Sequence, residues 1–551
     1  MSNLDKLNQT FKINPLYETD GYKCAHKAML APGTTKLYGT WIPRNIKFLP
    51  KSITKVLSIG QQFVVRSLHS AFSENFFNAV ELEYTTGIDD TGRPYSLPTG
   101  KILNKGKEPA LQFAKDMCKY LGTEYDGKHF EDLWDLGYLP IKIKALPEGI
   151  ETNPNIPHMT FINTVDGYAW LTLFLETHIS KLAWRIATAA TVAKEYRRVC
   201  TEWVTKTDPD NLWLVDWMCH DFHSRGGSTS DSVSVGLAHA FSFKGSDTLN
   251  TIEAARYYYD EEEVCIGSVN ASEHSVSCTK IFTVGEQQMI ADWLELFPTG
   301  ILSMVSDTFD LWKLITEYLP ANKDAIMARD GKLVIRPDSG DPVDIICGSI
   351  NYIDRKAIES FDVNVSWEPE AKGVIELLWD IFGGTVNEQG FKVLDSHIGA
   401  IYGDSINLER QTQMYERLAA KGFAATNIVL GVGSYQYIGS ITRDSCGYAA
   451  KGSWFEVKED INDYDADHDG LNPIWRKKSY NIYKDPITDD GSKRSLRGLL
   501  SVPHTLKDGE YWVKQECTQE EESKGLLQTI YEDGKFYNTT TLTEIRERLN
   551  K

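Results

Sequence analysis

At 551 residues the chain is too long for one hydrophobic core, so two or more domains are expected. Hydrophobic residues make up 42% and charged residues 25%, and 14 Trp with 26 Tyr exclude an extended disordered chain. A formal net charge of −19 repels nucleic acid and anionic lipid, which sets both aside as partners; an anionic substrate would need cations gathered locally against that charge.

In chain order, MSNLDKLNQTFKINP has no basic stretch followed by an apolar run, so no signal peptide is expected. Turn signals at Pro15 and Pro32-Gly33 surround strand-like KLYGTW. Residues 54–82 read as helical, 85–107, rich in Gly, Thr and Pro, as a loop, and 108–136 as helical again. In YLPIKIKALPEG, Ile141, Ile143 and Ala145 alternate with Lys142 and Lys144, a strand with one wet face. Residues 166–205 hold a long helical region.

From about 210 to 435 the texture changes. The apolar segments LVDWMCHDF, EVCIGSVNASEH, ILSMVSD, LVIRPDSG, IGAIYGD and NIVLGVGS each end in a polar cluster. Helical segments such as 281–296, 309–329 and 408–421 separate them. Strand, polar cluster, helix, repeated, predicts an α/β barrel or a related layered fold, with its chemistry at the C-terminal strand ends. Residues 455–482 contain the acidic stretch EDINDYDADHDGLNPIWRKK, expected as a surface insertion. The final TLTEIRERLN predicts a terminal helix capped by Thr541 or Thr543.

The nine cysteines (Cys24, Cys118, Cys200, Cys219, Cys265, Cys278, Cys347, Cys446 and Cys517) form no C-x-x-C pair. That excludes zinc-ribbon spacing and suits a reducing, cytoplasmic location. No stretch approaches the roughly 18 apolar residues of a membrane span. His26, His69, His178 and His397 show no metal spacing and read as structural. GIDDTG (87–92) resembles a ribose-phosphate loop, but EYTT precedes it instead of a buried apolar strand, so a turn is expected. Asp465, Asp467, Asp469 and Gly470 match half an EF-hand loop, with Arg476 where the bidentate Glu belongs, which favours a solvated acidic loop. GVGSYQYIG (431–439) lacks dinucleotide-loop spacing because Gln436 holds the sixth position, and no Walker A pattern occurs.

The strand-end clusters HDFHSRGG, SVNASEHS, VSDTFD, IRPDSGDP, YGDS and SITRD supply Arg225, Arg336 and Arg443 as cations, Asp307, Asp338 and Asp404 as carboxylates, and His274. Arginine forks beside Gly/Ser-rich turns suit phosphate, and neighbouring carboxylates suit ribose hydroxyls or Mg²⁺. The combination points to a sugar phosphate.

These clusters, in order with TDGYK (19–23), LPIKIKALPEG (139–149), FKGSDT (243–248), TRD (442–444) and YKDP (483–486), resemble the nicotinamide phosphoribosyltransferase family, type II phosphoribosyltransferases, over most of the chain. Segments 85–130 and 455–482 depart from the pattern. The resemblance implies a barrel-like catalytic domain over 181–439 and a mixed α+β domain from 1–180 with 440–551. It implies nicotinamide stacked between Phe222 and Tyr22, the latter from the second subunit of a homodimer with shared sites. Asp247 would accept from the carboxamide and repel nicotinate.

Arg225 and Arg336 would hold the pyrophosphate, Asp338 would face the ribose, Gly403 and Asp404 would lie near its hydroxyls, and Ser303 would add a polar contact. The 5′-phosphate would meet Gly433 and Ser434, with Arg443 and Lys451 reaching in from the partner subunit. Ser434 stands where some relatives have Gly. Arg44, Lys484 and Lys493 match further basic positions. His274 would accept phosphate from the co-substrate ATP, oriented by Asp307 and assisted by Glu273. Mg²⁺ would ride on the pyrophosphate without direct protein ligands. The implied substrates are nicotinamide, phosphoribosyl pyrophosphate and ATP. A nicotinate phosphoribosyltransferase and a non-catalytic dimeric binding protein on the same fold are the alternatives.

Overall fold

The computed structural model describes residues 12–350, 352–360, 366–460, 475–489 and 494–550. The chain forms two compact units: Met1–Lys47, Lys55–Trp184 and Arg443–Thr539 make the first, and Phe48–Thr54, Arg185–Thr442 and Thr540–Lys551 the second.

The second unit is built on parallel strands: β1 (Cys219–Phe222), β2 (Gly245–Ser246), β3 (Asn270–Ala271), β4 (Thr299–Val305), β5 (Asp330–Arg336), β6 (Ile398–Tyr402) and β7 (Ile428–Gly433). Their hydrogen-bonded order is β3-β4-β5-β6-β7-β1-β2. The remaining gap, between β2 and β3, is bridged at Gly245 and Gly267, where Gly267 N donates to Lys244 O at 2.7 Å and Ser246 N to Gly267 O at 3.0 Å. The strands thus follow one another round a closed, irregular barrel in chain order. Leu333, Ile335, Ile398, Leu430 and Val432 are buried, giving the continuous apolar runs of a parallel sheet covered by helices. Helices Thr229–Ala240, Asn250–Tyr259, Glu286–Leu296 and Leu408–Ala420 lie between the strands in sequence. Ser228 and Asp231 form a capping box that starts the first of them.

The terminal helix Leu542–Leu549 is capped by Thr541, through a box with Glu544. It belongs to the barrel unit, not to the mixed domain expected over 440–551. Arg546 accounts for this: its buried guanidinium donates to the carbonyls of Ala240, Phe243 and Cys265. Such spare carbonyls carry no sequence signature.

The first unit centres on an antiparallel sheet with strands in the order Trp475–Asn481, Ala449–Asp460, Thr34–Ile42, Met159–Asn163, Ile141–Ala145, Gln528–Glu532 and Lys535–Phe536. Ile141 and Ile143 are buried, while Lys142 pairs with Glu532 at 2.8 Å and Lys144 with Glu522 at 2.9 Å. Trp41 stacks on Tyr448 with ring centroids 4.8 Å apart.

Two expectations differ from the structure here. Residues 455–460 and 475–481 are paired strands, in register from Trp454–Asn481 to Asp460–Trp475, so the ends of the expected surface insertion belong to the sheet. Residues 461–474, with the half EF-hand of Asp465, Asp467 and Asp469, lie outside the described residues. Residues 85–107 contribute to a hairpin, Val80–Ile88 with Pro94–Asn104. The turn reading of GIDDTG holds: Asp89 Oδ1 accepts from Thr91 N, Thr91 Oγ1 and Arg93 N. Gly and Thr there made a loop plausible, but cross-strand pairing overrides local propensity.

Candidate active site

Because every barrel strand runs the same way, all the C-terminal ends lie at one rim. Phe222, Asp247, His274, Asp307, Arg336, Asp338, Gly403, Asp404, Gly433 and Ser434 occupy or directly follow those ends. Ser303 lies within β4 instead, with a buried side chain.

Phe222 closes β1 and is half-buried. Its ring edge rests on bare backbone: a Cβ at Gly431 would fall 2.3 Å from Phe222 Cδ2, and one at Gly403 2.8 Å from Cε2. Both glycines are therefore required by close approach. Gly431→Ala is expected to displace the ring and raise KM for a stacked base about tenfold, the scale of one overpacked methyl group. Steady-state kinetics in the base check this, and an unchanged KM contradicts it.

Asp247 follows β2, with its side chain 45% exposed. Its Oδ1 accepts from His220 Nε2 at 3.3 Å and from Ser268 Oγ. Partial burial would raise this carboxyl, but those bonds and the nearby charges of His220 and Arg336 outweigh it and hold the group below the usual carboxylate range. An ionised acceptor results. His220 and Ser268 were not singled out from the sequence; the only signal was their place in the same strand-end motifs as Phe222 and His274.

His274 opens the helix His274–Val284 and is 45% exposed, with Nε2 3.0 Å from Asp307 Oδ1. Asp307, 6% exposed, also accepts through Oδ2 from Asp338 N at 2.8 Å and Ser339 Oγ at 2.5 Å. Burial opposes ionisation, and these donors together reverse it, lowering its pKa. An ionised carboxylate only accepts, so Nε2 of His274 donates to Asp307, and in the neutral ring that leaves the lone pair on Nδ1.

Arg336 Nη2 donates to Ser272 O at 2.5 Å. Arg225 sits in the short turn Ser224–Gly226 and is exposed. The turn leans on Ser434: a Cβ at Gly226 would lie 2.2 Å from Ser434 Cβ, whereas one at Gly433 would meet nothing within 4 Å. Exposed Asp338 and Asp404 join Asp307 and Asp341 around Tyr402; burial first, then this negative field, raises the pKa of its hydroxyl. Among the described residues no group of three or more His, Cys, Asp or Glu side chains is placed to hold a metal ion.

The remaining expected residues belong to the first unit. Arg44, Lys451 and Lys484 line one cavity of about 570 Å³. Arg494 and Arg497, not anticipated from the sequence, line it too; Asp485 and Glu516 in its wall face the five cations, and Lys451 also pairs with Glu176 at 3.6 Å. Their signal was present in KRSLR, which reads equally well as solvated charge. Arg443 is exposed and pairs with Asp444 at 3.1 Å, outside that cavity. Tyr22 is 65% exposed. Lys493 lies outside the described residues.

A parallel barrel with cations, carboxylates and an aromatic ring at its C-terminal strand ends suits an enzyme acting on a sugar phosphate. Residues 217–468 match the model of the Nicotinate phosphoribosyltransferase (NAPRTase) family. A nicotinamide phosphoribosyltransferase of Acinetobacter baylyi is 37% identical over 98% of both chains. One of Mycoplasma pneumoniae is 30% identical over 90% of this chain and 97% of its own. The chain belongs to the nicotinamide phosphoribosyltransferase family. Among solved structures, a nicotinate-nucleotide pyrophosphorylase of Pyrococcus furiosus aligns with TM-score 0.49 and 15% identity, covering 100% of this chain and 97% of its own. The human nicotinic acid phosphoribosyltransferase aligns with TM-score 0.48 and 14% identity, covering 97% and 93%.

Proposed function

We propose that the enzyme transfers phosphoribose from phosphoribosyl pyrophosphate to nicotinamide, giving nicotinamide mononucleotide and pyrophosphate in NAD salvage. The carrying observation is an ionised Asp247 at the same rim as Phe222, with Oδ1 engaged by His220 and Ser268 and Oδ2 accepting from no described residue. The free oxygen suits the carboxamide NH₂ of a ring stacked on Phe222 and repels the carboxylate of nicotinate. A side-by-side assay with both bases tests this. Conversion of nicotinate alone would overturn it in favour of the nicotinate-using alternative.

The pyridine nitrogen attacks C1′ as the pyrophosphate oxygen leaves. Arg225 and Arg336 hold the departing charge, Asp338 and Asp404 face the ribose, and the open backbone at Gly433 and Ser434 receives the 5′-phosphate. No protein nucleophile is needed at C1′. Mg²⁺ would be carried in on the pyrophosphate without direct protein ligands, with the exposed carboxylates of Asp338 and Asp404 nearby, and would supply further neutralisation when bound.

ATP acts as co-substrate through phosphorylation of His274 Nδ1, a reading supported by the Asp307 contact that directs the ring's lone pair. His274→Ala should bring the ratio of rates with and without ATP to about one. Retention of the full wild-type ratio would remove the phospho-histidine.

The active assembly is a homodimer in which Tyr22 and the basic cavity around Arg44 and Lys451 complete the partner's site, with Arg443 alongside. Support comes from the exposure of Tyr22, and of Val276, Phe282 and Val284 on the helix that begins at His274. Light scattering should give twice the chain mass, and a monomer at assay concentration would refute this. We place the enzyme in the cytoplasm on the nine free thiols. No helix among the described residues is long and apolar enough to cross a membrane.

A further inference from the structure

One buried aspartate–histidine pair lies directly behind the proposed base site and takes no part in the reaction above. Strand alternation puts His220 and Phe222 on one face of β1 and Asp221 on the other. Asp221 and His223 are both fully buried. His223 Nδ1 donates to Asp221 Oδ1 at 2.6 Å, and His223 N donates to the same oxygen at 3.0 Å. The ring's other nitrogen, Nε2, is buried and meets no partner among the described residues. Burial disfavours the Asp221 carboxylate, yet the bonds and charge of His223, with His239 nearby, bring its pKa down to about 2.

His239 is itself held near 4, chiefly by burial. Its neutral ring donates from Nε2 to Gly245 O at 3.0 Å and accepts at Nδ1 from Tyr437 at 2.9 Å. It is therefore committed elsewhere, and His223 is the ring that donates to Asp221.

The same aspartate also reaches the neighbouring strand. Ser246 Oγ donates to Asp221 Oδ2 at 3.3 Å, and Asp247 N donates to Asp221 O at 3.1 Å. On one side Asp221 thus grips the turn that carries Phe222 and Arg225. On the other it grips the strand end that carries Asp247. We infer that the Asp221–His223 pair is a positioning device that sets the spacing between the stacking ring Phe222 and the amide acceptor Asp247. This rests on the proposed roles of those two residues.

The test compares His223→Leu, which fills the space without a donor, with His223→Asn, whose side-chain NH₂ can replace Nδ1. Losing a hydrogen bond to a buried charge predicts a rise of about tenfold or more in KM for nicotinamide in His223→Leu. KM for phosphoribosyl pyrophosphate should rise several-fold less, since of its proposed contacts only Arg225 lies on this turn and the others lie on other strand ends. His223→Asn should recover most of the nicotinamide KM. If His223→Leu does not fold, the same KM split is sought in Asp221→Asn, which keeps the shape and removes the charge. Equal rises in both KM values, no rise at all, or no recovery in His223→Asn from a raised KM would overturn the proposal. A wild-type enzyme that ignores nicotinamide would instead overturn the functional reading, which separates the two failures.

Discussion

Replacing Asp247 by asparagine is expected to move base preference from nicotinamide towards nicotinate by about a hundredfold in the ratio of kcat/KM values. Two like unit charges about 4 Å apart repel by about 4 kcal/mol at an effective dielectric of about 20. The side chain is 45% exposed, so solvent screens part of that, and about 2–3 kcal/mol is the expected share. Asparagine keeps the shape, lets Ser268 and His220 still donate to its oxygen, and turns an NH₂ towards the ligand. Competition kinetics with both bases in one vessel reads the ratio directly. A variant that loses activity on nicotinamide without gaining on nicotinate would show that Asp247 supports the fold of the rim and does not select the base.

The second large effect is expected at Arg336. Arg336→Ala should lower kcat/KM for phosphoribosyl pyrophosphate about 10²- to 10³-fold, the usual cost of removing one preorganised donor from developing negative charge. Lysine at this position should recover part of the loss, because it restores charge without the planar fork. Arg336 also donates to Ser272 O at 2.5 Å, which helps to seat the segment leading to His274. Thermal unfolding therefore belongs beside the kinetics. A fall in melting temperature with an unchanged kcat/KM would assign Arg336 to structure alone.

Much of this rim was legible in the sequence for one reason: in a parallel barrel, strand direction converts order along the chain into proximity in space. An apolar run followed by a polar cluster marks the C-terminal end of a strand, so Asp307, Arg336 and Gly433 could be assigned to one rim before any coordinates. The supporting contacts were less legible. Asp221 and His223 sit inside the same HDFHSRGG string as Phe222, yet only the pleat of β1 shows that they lie behind it. Gly431 looked like part of a failed dinucleotide loop, and its role emerges only when the Phe222 ring crosses above it. Arg546 was invisible because carbonyls exposed by other segments attract it. The hairpin at 80–104 was missed because its pairing depends on register, not on composition.

The barrel's closure has a consequence for how firmly the enzyme holds its shape. β4 and β5 are matched at seven residue pairs, whereas β2 and the segment entering β3 meet at a single bridge between Gly245 and Gly267. The hoop is fastened unevenly, and its loosest clasp lies next to Asp247 and Ser268. Local opening there breaks the fewest bonds, so the amide protons of Ser246 and Gly267 exchange with solvent ahead of those in β4 and β5. A base held by Asp247 in the way proposed above would tighten that clasp and so couple occupancy of the pocket to rigidity of the ring.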